Sequence, residues 1–130
     1  QGNEKIENAI AALQQEASEE MLAHTLTVIR RRMREKGQLI LAVEPPAGGG
    51  PFLVQAVTTG DGQTWWTAFT GFEEEVRGSG SVMSTFLSDM EELFTAAVSE
   101  KEISGVIINP WNRTIMFDKA LLKIILGMET

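Results

Sequence analysis

Three apolar runs follow one another with little chain between them: QLILAVE at 38–44, FLVQAVTT at 52–59 and TWWTAF at 64–69. A parallel return between neighbouring strands needs a crossover of a dozen or more residues. Neither EPPAGGGP at 44–51 nor GDGQ at 60–63 is that long. The runs therefore predict an antiparallel meander, with GDGQ as a hairpin-type connection. QLILAVE is apolar on both faces, as an inner strand should be.

Before the meander, Ile6, Ile10 and Leu13 fall at i, i+4 and i+7 and predict an amphipathic helix over 4–16. Leu22, Ala23, Leu26, Ile29 and Met33 form a second stripe on a different phase. Ser18, followed by Glu19 and Glu20, is the expected N-cap of that second helix. Arg30, Arg31, Arg32, Arg34 and Lys36 crowd its end, and Gly37 is the expected stop.

After the meander, Thr70 and Glu73 fit a capping box opening a short helix, FEEEVR at 72–77. VMSTFL (82–87) predicts a fourth strand. Ser88 to Glu91 form a second capping box, for a helix with Met90, Leu93, Phe94 and Ala97 on one side. GVIIN (105–109) and TIMF (114–117) complete the strands, and the strand–helix–strand order from 82 to 109 predicts one parallel crossover. Asp118 is expected to cap a last helix that runs through Leu126 and is closed by Gly127. The expected fold is α+β, a single domain with a mixed five- or six-stranded sheet packed by helices. Residues 1–17 read as an N-terminal helical extension to a domain at 18–130.

Composition removes several kinds of chemistry. The 130 residues contain no Cys, which excludes disulfides, thiolate metal sites and a Cys nucleophile, and fits a reducing cytoplasm. The one His, His24, lies off its helix's apolar stripe, and a His-pair zinc motif is impossible. A formal charge of −7 argues against nonspecific binding to nucleic acid. No apolar stretch approaches the ~20 residues of a membrane span, and QGNEKIENAI lacks a secretory apolar core. Glu73, Glu74 and Glu75 do not converge, because adjacent helical residues point about 100° apart. Gly48 to Gly50 lack the Gly-Lys-Ser/Thr and helix of a phosphate loop, and Gly78-Ser79-Gly80 fails the same test. The expectation is no catalytic residue, no metal and no cofactor.

Candidate binding residues remain. Asn109-Pro110-Trp111-Asn112 fits a type I turn that lets GVIIN and TIMF pair as a hairpin. A turn needs neither Trp111 nor Arg113, and both residue types are enriched at binding hot spots. The alternative is that Trp111 folds back over a helix. Trp65 and Trp66 point to opposite faces of their strand. Either one belongs to an exposed apolar patch, or helices cover both faces and both are core. Arg30, Arg31 and Arg34 either balance a helix dipole and the chain's own acids, or receive an acidic partner.

The meander strand ending in Ala68-Phe69-Thr70 with Glu73-Glu74, the capped helix SDMEELFTAAV, and Gly105-Val106-Ile107-Ile108-Asn109-Pro110 resemble the SseB protein N-terminal domain family over roughly residues 21 to 126. That family is named for an enhanced serine sensitivity phenotype. The resemblance implies a small α/β domain of bacterial, cytoplasmic type, with no catalytic residues to carry over. Three functions are expected in order: an interaction module with a protein partner, a regulator or enzyme for an amino-acid-related metabolite, or a homo-oligomeric scaffold.

Overall fold

The computed structural model describes residues 2–44, 53–71, 73 and 84–128. Two helices open the chain, α1 at Glu4–Gln15 and α2 at Glu19–Arg34. Strands β1 (Gln38–Glu44), β2 (Leu53–Val54), β3 (Ala56–Thr58) and β4 (Thr64–Ala68) follow as an antiparallel meander. Then come β5 (Ser84–Asp89), α3 (Met90–Ser99), β6 (Gly105–Ile108), β7 (Ile115–Asp118) and α4 (Lys119–Leu126). The chain is thus a mixed α+β domain. The helix expected at 72–77 lies outside the described residues, apart from helical Glu73. So do the loop at 45–51 and the start of the run at 82–87.

The strands form two sheets, β2-β1-β5 and β3-β4-β6-β7, joined where Ile40 and Phe69 exchange backbone hydrogen bonds of 2.8 and 2.9 Å. The run expected as one strand at 52–59 divides at Gln55. Its N–H donates to Ala42 O and its carbonyl accepts from Thr67 N–H, so the strand leaves β1 and crosses to β4. The parallel pair is β4 with β6, not the 82–87 strand with β6. β5 instead takes the free edge of β1, antiparallel over six residue pairs from Gln38↔Asp89 to Val43↔Ser84.

All four described helices feed one core on one face of this layer. Ile6 and Ile10 of α1, Ile29 and Met33 of α2, Phe94 of α3 and Leu122 of α4 are buried against Leu39, Leu41, Ala68, Val106, Ile108 and Phe117. Phe94 meets Phe117 edge-on, with ring centroids 6.4 Å apart. Period-2 alternation places Ile40, Ala42 and Phe69 in a second buried cluster. The N-terminal extension therefore belongs to the core.

Local chemistry accounts for the ends of these elements. Ser18 accepts the Met21 N–H at 3.1 Å, and Asp118 accepts that of Leu121 at 2.9 Å. At α3 the cap is Asp89, which accepts from Glu91 N–H; Ser88 remains in β5. In the 59–63 hairpin the Thr59 hydroxyl, and then the Gln63 N–H, hold the exposed Asp61 carboxyl below its ordinary pKa.

The end of α2 differs from expectation. Lys36, not Gly37, takes the left-handed conformation (φ 66°). Gly37 N–H reaches Arg32 O at 2.9 Å and Lys36 N–H reaches Met33 O at 3.0 Å, the two bonds of a Schellman closure. Gly37 is needed for space, since a Cβ there would lie 2.7 Å from the Arg32 carbonyl oxygen. Lys36→Gly should raise the unfolding free energy by about 0.5–1 kcal/mol by relieving a side chain at positive φ. Gly37→Ala should lower it. Urea melts of the two variants measure both.

Candidate functional site

The parallel strands β4 and β6 end side by side, and side chains complete the hydrogen bonding there. Asn109 N–H still pairs with Ala68 O at 2.8 Å. One step further the backbone pairing stops, and the Asn109 side chain takes over. Its Oδ1 accepts the Thr70 N–H at 2.9 Å, and its Nδ2 donates to Thr70 Oγ1 at 3.0 Å. Both residues are buried, Asn109 at 0% and Thr70 at 1% exposure. The Thr70 hydroxyl donates to Glu7 of α1 at 2.6 Å.

Further contacts tie α1 to the same corner. Asn3 donates its side-chain amide to Gln38 O (2.8 Å) and Thr70 O (3.1 Å), and accepts from Arg32 Nε at 3.0 Å. The other oxygen of Glu7 faces Arg113 Nη1 at 3.4 Å. Asn3, Glu7 and Thr70 were not singled out as candidate site residues. Each has partners far away in sequence, and the local pattern that marks Thr70, a capping box, points to a different role.

This corner supports the turn at 109–113. Asn112 N–H bonds Asn109 O at 3.3 Å, closing the expected β-turn, and Thr114 Oγ1 donates to the same carbonyl at 2.5 Å. β6 and β7 pair as the predicted hairpin. Asn109 departs from a plain type I start by taking φ 54°, a conformation that Asn tolerates better than most residues. Arg113 is also left-handed, at φ 50°. Trp111 does not fold away and stays 50% exposed.

The other tryptophans separate as the strand period requires. Trp66 is half-buried against the helix-covered core. Trp65, on the reverse face, is only 7% exposed, so it is not part of an exposed apolar patch. Its indole N–H is buried without a partner among the described residues.

Arg31 and Arg34 are exposed on α2, and Arg30 is half-buried with its guanidinium over Gly127, at the end of α4. Arg32 bonds Glu35 and Asn3 and serves the corner. The turn and the arginines thus involve different elements. His24 is exposed on α2. Among the described residues no three His, Asp or Glu side chains are grouped to hold a metal ion, and no helix is long and apolar enough to cross a membrane. Comparison with protein-family models, curated proteins and solved structures finds no match to this chain.

What the corner can do chemically is limited. Its hydroxyl, amides and carboxylate are matched to one another, and the Thr70 hydroxyl, buried between Asn109 and Glu7, is closed off from a substrate. Asn109→Ala should cost about 2–4 kcal/mol by stranding the buried Thr70 N–H and forcing Ala to positive φ. A double-mutant cycle with Thr70→Val should show coupling of about 1 kcal/mol or more. Trp65→Phe should change stability by less than about 1 kcal/mol, since it removes a polar group that has no partner. Trp65→Ala should cost about 3–5 kcal/mol. Chemical denaturation tests all of these.

Proposed function

We propose that this chain is a non-catalytic interaction module of the SseB N-terminal type, working in the bacterial cytoplasm, with the 109–113 turn as its contact point. One observation carries this reading: Trp111 keeps half its surface in solvent at a turn held from beneath by buried, hydrogen-bonded groups. An aromatic side chain on a fixed mount loses little conformational entropy when a partner covers it. Arg113 adds a directional charge nearby. Its side chain is 42% exposed, and its 3.4 Å pair with Glu7 is of a kind worth about 0–1 kcal/mol. A partner's carboxylate or carbonyl can replace that contact at little cost.

The family resemblance supports the reading through Gly105 to Pro110, which lead into this turn. The absence of Cys supports the cytoplasmic setting. The partner is a second protein.

Affinity purification from the native cell with quantitative mass spectrometry, using wild-type and Trp111→Ala/Arg113→Asn baits, tests the proposal. Asn is chosen because it tolerates positive φ. A stoichiometric partner should be recovered by the wild type and lost from a variant whose melting temperature is within a few degrees. Equal recovery by both baits, or no partner with either, would sink the reading. Partner loss accompanied by monomerisation in light scattering would replace the second protein with a second copy.

A further inference from the structure

Thr27, Arg30, Arg31 and Arg34 stand at i, i+3, i+4 and i+7 on α2, and so share one face of the helix. Together they line a depression of about 280 Å³. None of these three arginines makes a hydrogen bond or ion pair with a described residue. That is unusual company for a chain with 18 acidic side chains against 11 lysines and arginines. Intramolecular neutralisation, the plain alternative for this cluster, applies to Arg32 through Glu35 and to Arg113 through Glu7. Among the described residues it does not extend to Arg31 or Arg34.

Thr27 and Arg30 also line a second hollow of about 190 Å³ between α2 and α4, completed by Ala23, Leu26, Ile124 and Ile125. Here the surface is apolar. Ile124 is 51% exposed, although Leu121, Leu122, Ile125 and Leu126 of the same helix are at least partly buried. The two hollows share Thr27 and Arg30, so an apolar depression adjoins a ridge of cations.

A small free anion is poorly suited to this ridge. Arg31 and Arg34 lie in the last turn of α2 and Arg30 over the end of α4, where the negative helix poles oppose an added negative charge. A longer ligand gains from both surfaces. An amphipathic helix lays its apolar side into a groove through residues at i, i+3, i+4 and i+7, while acids on the adjoining side meet the arginines.

We propose that the α2–α4 groove docks an acidic amphipathic helical segment of a partner protein, its apolar face against Leu26 and Ile124 and its carboxylates on Arg30, Arg31 and Arg34. The proposal rests on the interaction-module reading but uses none of the residues of the 109–113 turn.

The test is a display selection of a random helical peptide library on immobilised wild-type protein, followed by fluorescence-anisotropy titration of the enriched peptides. Enriched peptides should combine apolar residues at helical spacing with Asp or Glu along one side. Their affinity should fall by at least about tenfold in Arg31→Glu/Arg34→Glu and in Ile124→Asp, and should weaken with added salt. Both changes are at exposed side chains, and a thermal melt checks that each variant folds.

No enrichment, peptides without acids, or undiminished binding to the variants would overturn the groove. So would equal competition by polyglutamate, which would make the site a general polyanion surface. Peptides lost only with Trp111→Ala would also overturn it, while leaving the interaction module standing. Retention of peptides by Trp111→Ala, with no cellular partner lost from the turn variant, would do the reverse. Wild-type protein that dimerises when the Arg31→Glu/Arg34→Glu variant does not would assign the groove to a second copy and overturn the proposed partner.

Discussion

The side-chain amide of Asn109 is the contact on which one end of this molecule depends. β4 and β6 run parallel and stop together, and the next backbone N–H, that of Thr70, is buried. Left alone, such a group would cost about 1–3 kcal/mol. Asn109 Oδ1 satisfies it, and the same amide bonds the Thr70 hydroxyl, which in turn is aimed at Glu7. The N-terminal helix is therefore held by polar contacts at Asn3 and Glu7 as well as by the burial of Ile6 and Ile10. The apolar contacts supply attraction without direction, and the hydrogen bonds select one seating of α1.

The same accounting separates structural from functional polar groups. Asn3, Thr70 and Asn109 are buried and have partners within the chain. Arg31 and Arg34 are exposed with no ion pair among the described residues, and Trp111 stays half-exposed on a turn braced from below. Residues that the fold already uses have little capacity left for a ligand. Residues it positions without using are where recognition is argued, on a rigid scaffold that reduces the entropy lost on binding.

Much of the fold was legible because its signals are local. Ser18 and Asp118 cap their helices as their neighbours predict, and the short connections of the meander force antiparallel pairing. Other readings failed where a distant group competed. Ser88 gives way to Asp89 because β5 stays paired with β1 as far as Gln38. Lys36 takes the left-handed turn because Gly37 is needed one place later, where Arg32 leaves no room for a Cβ. In the candidate site, Trp111 and the arginines were marked by residue type alone, and their exposure was not.

Sequence by itself determined the four described helices, the antiparallel meander, the hairpin at Asn109-Pro110 and the chemistry excluded by having no Cys and one His. These follow from backbone propensities and from composition, which act over a few residues or over none. Only the tertiary structure decided that β4 is the parallel partner of β6, that Trp65 is buried with no partner for its N–H among the described residues, and that Arg31 and Arg34, unlike Arg32 and Arg113, make no ion pair with a described residue. Pairing, burial and charge neutralisation depend on which surfaces meet across tens of residues of chain. A one-dimensional pattern leaves those encounters open until the core closes.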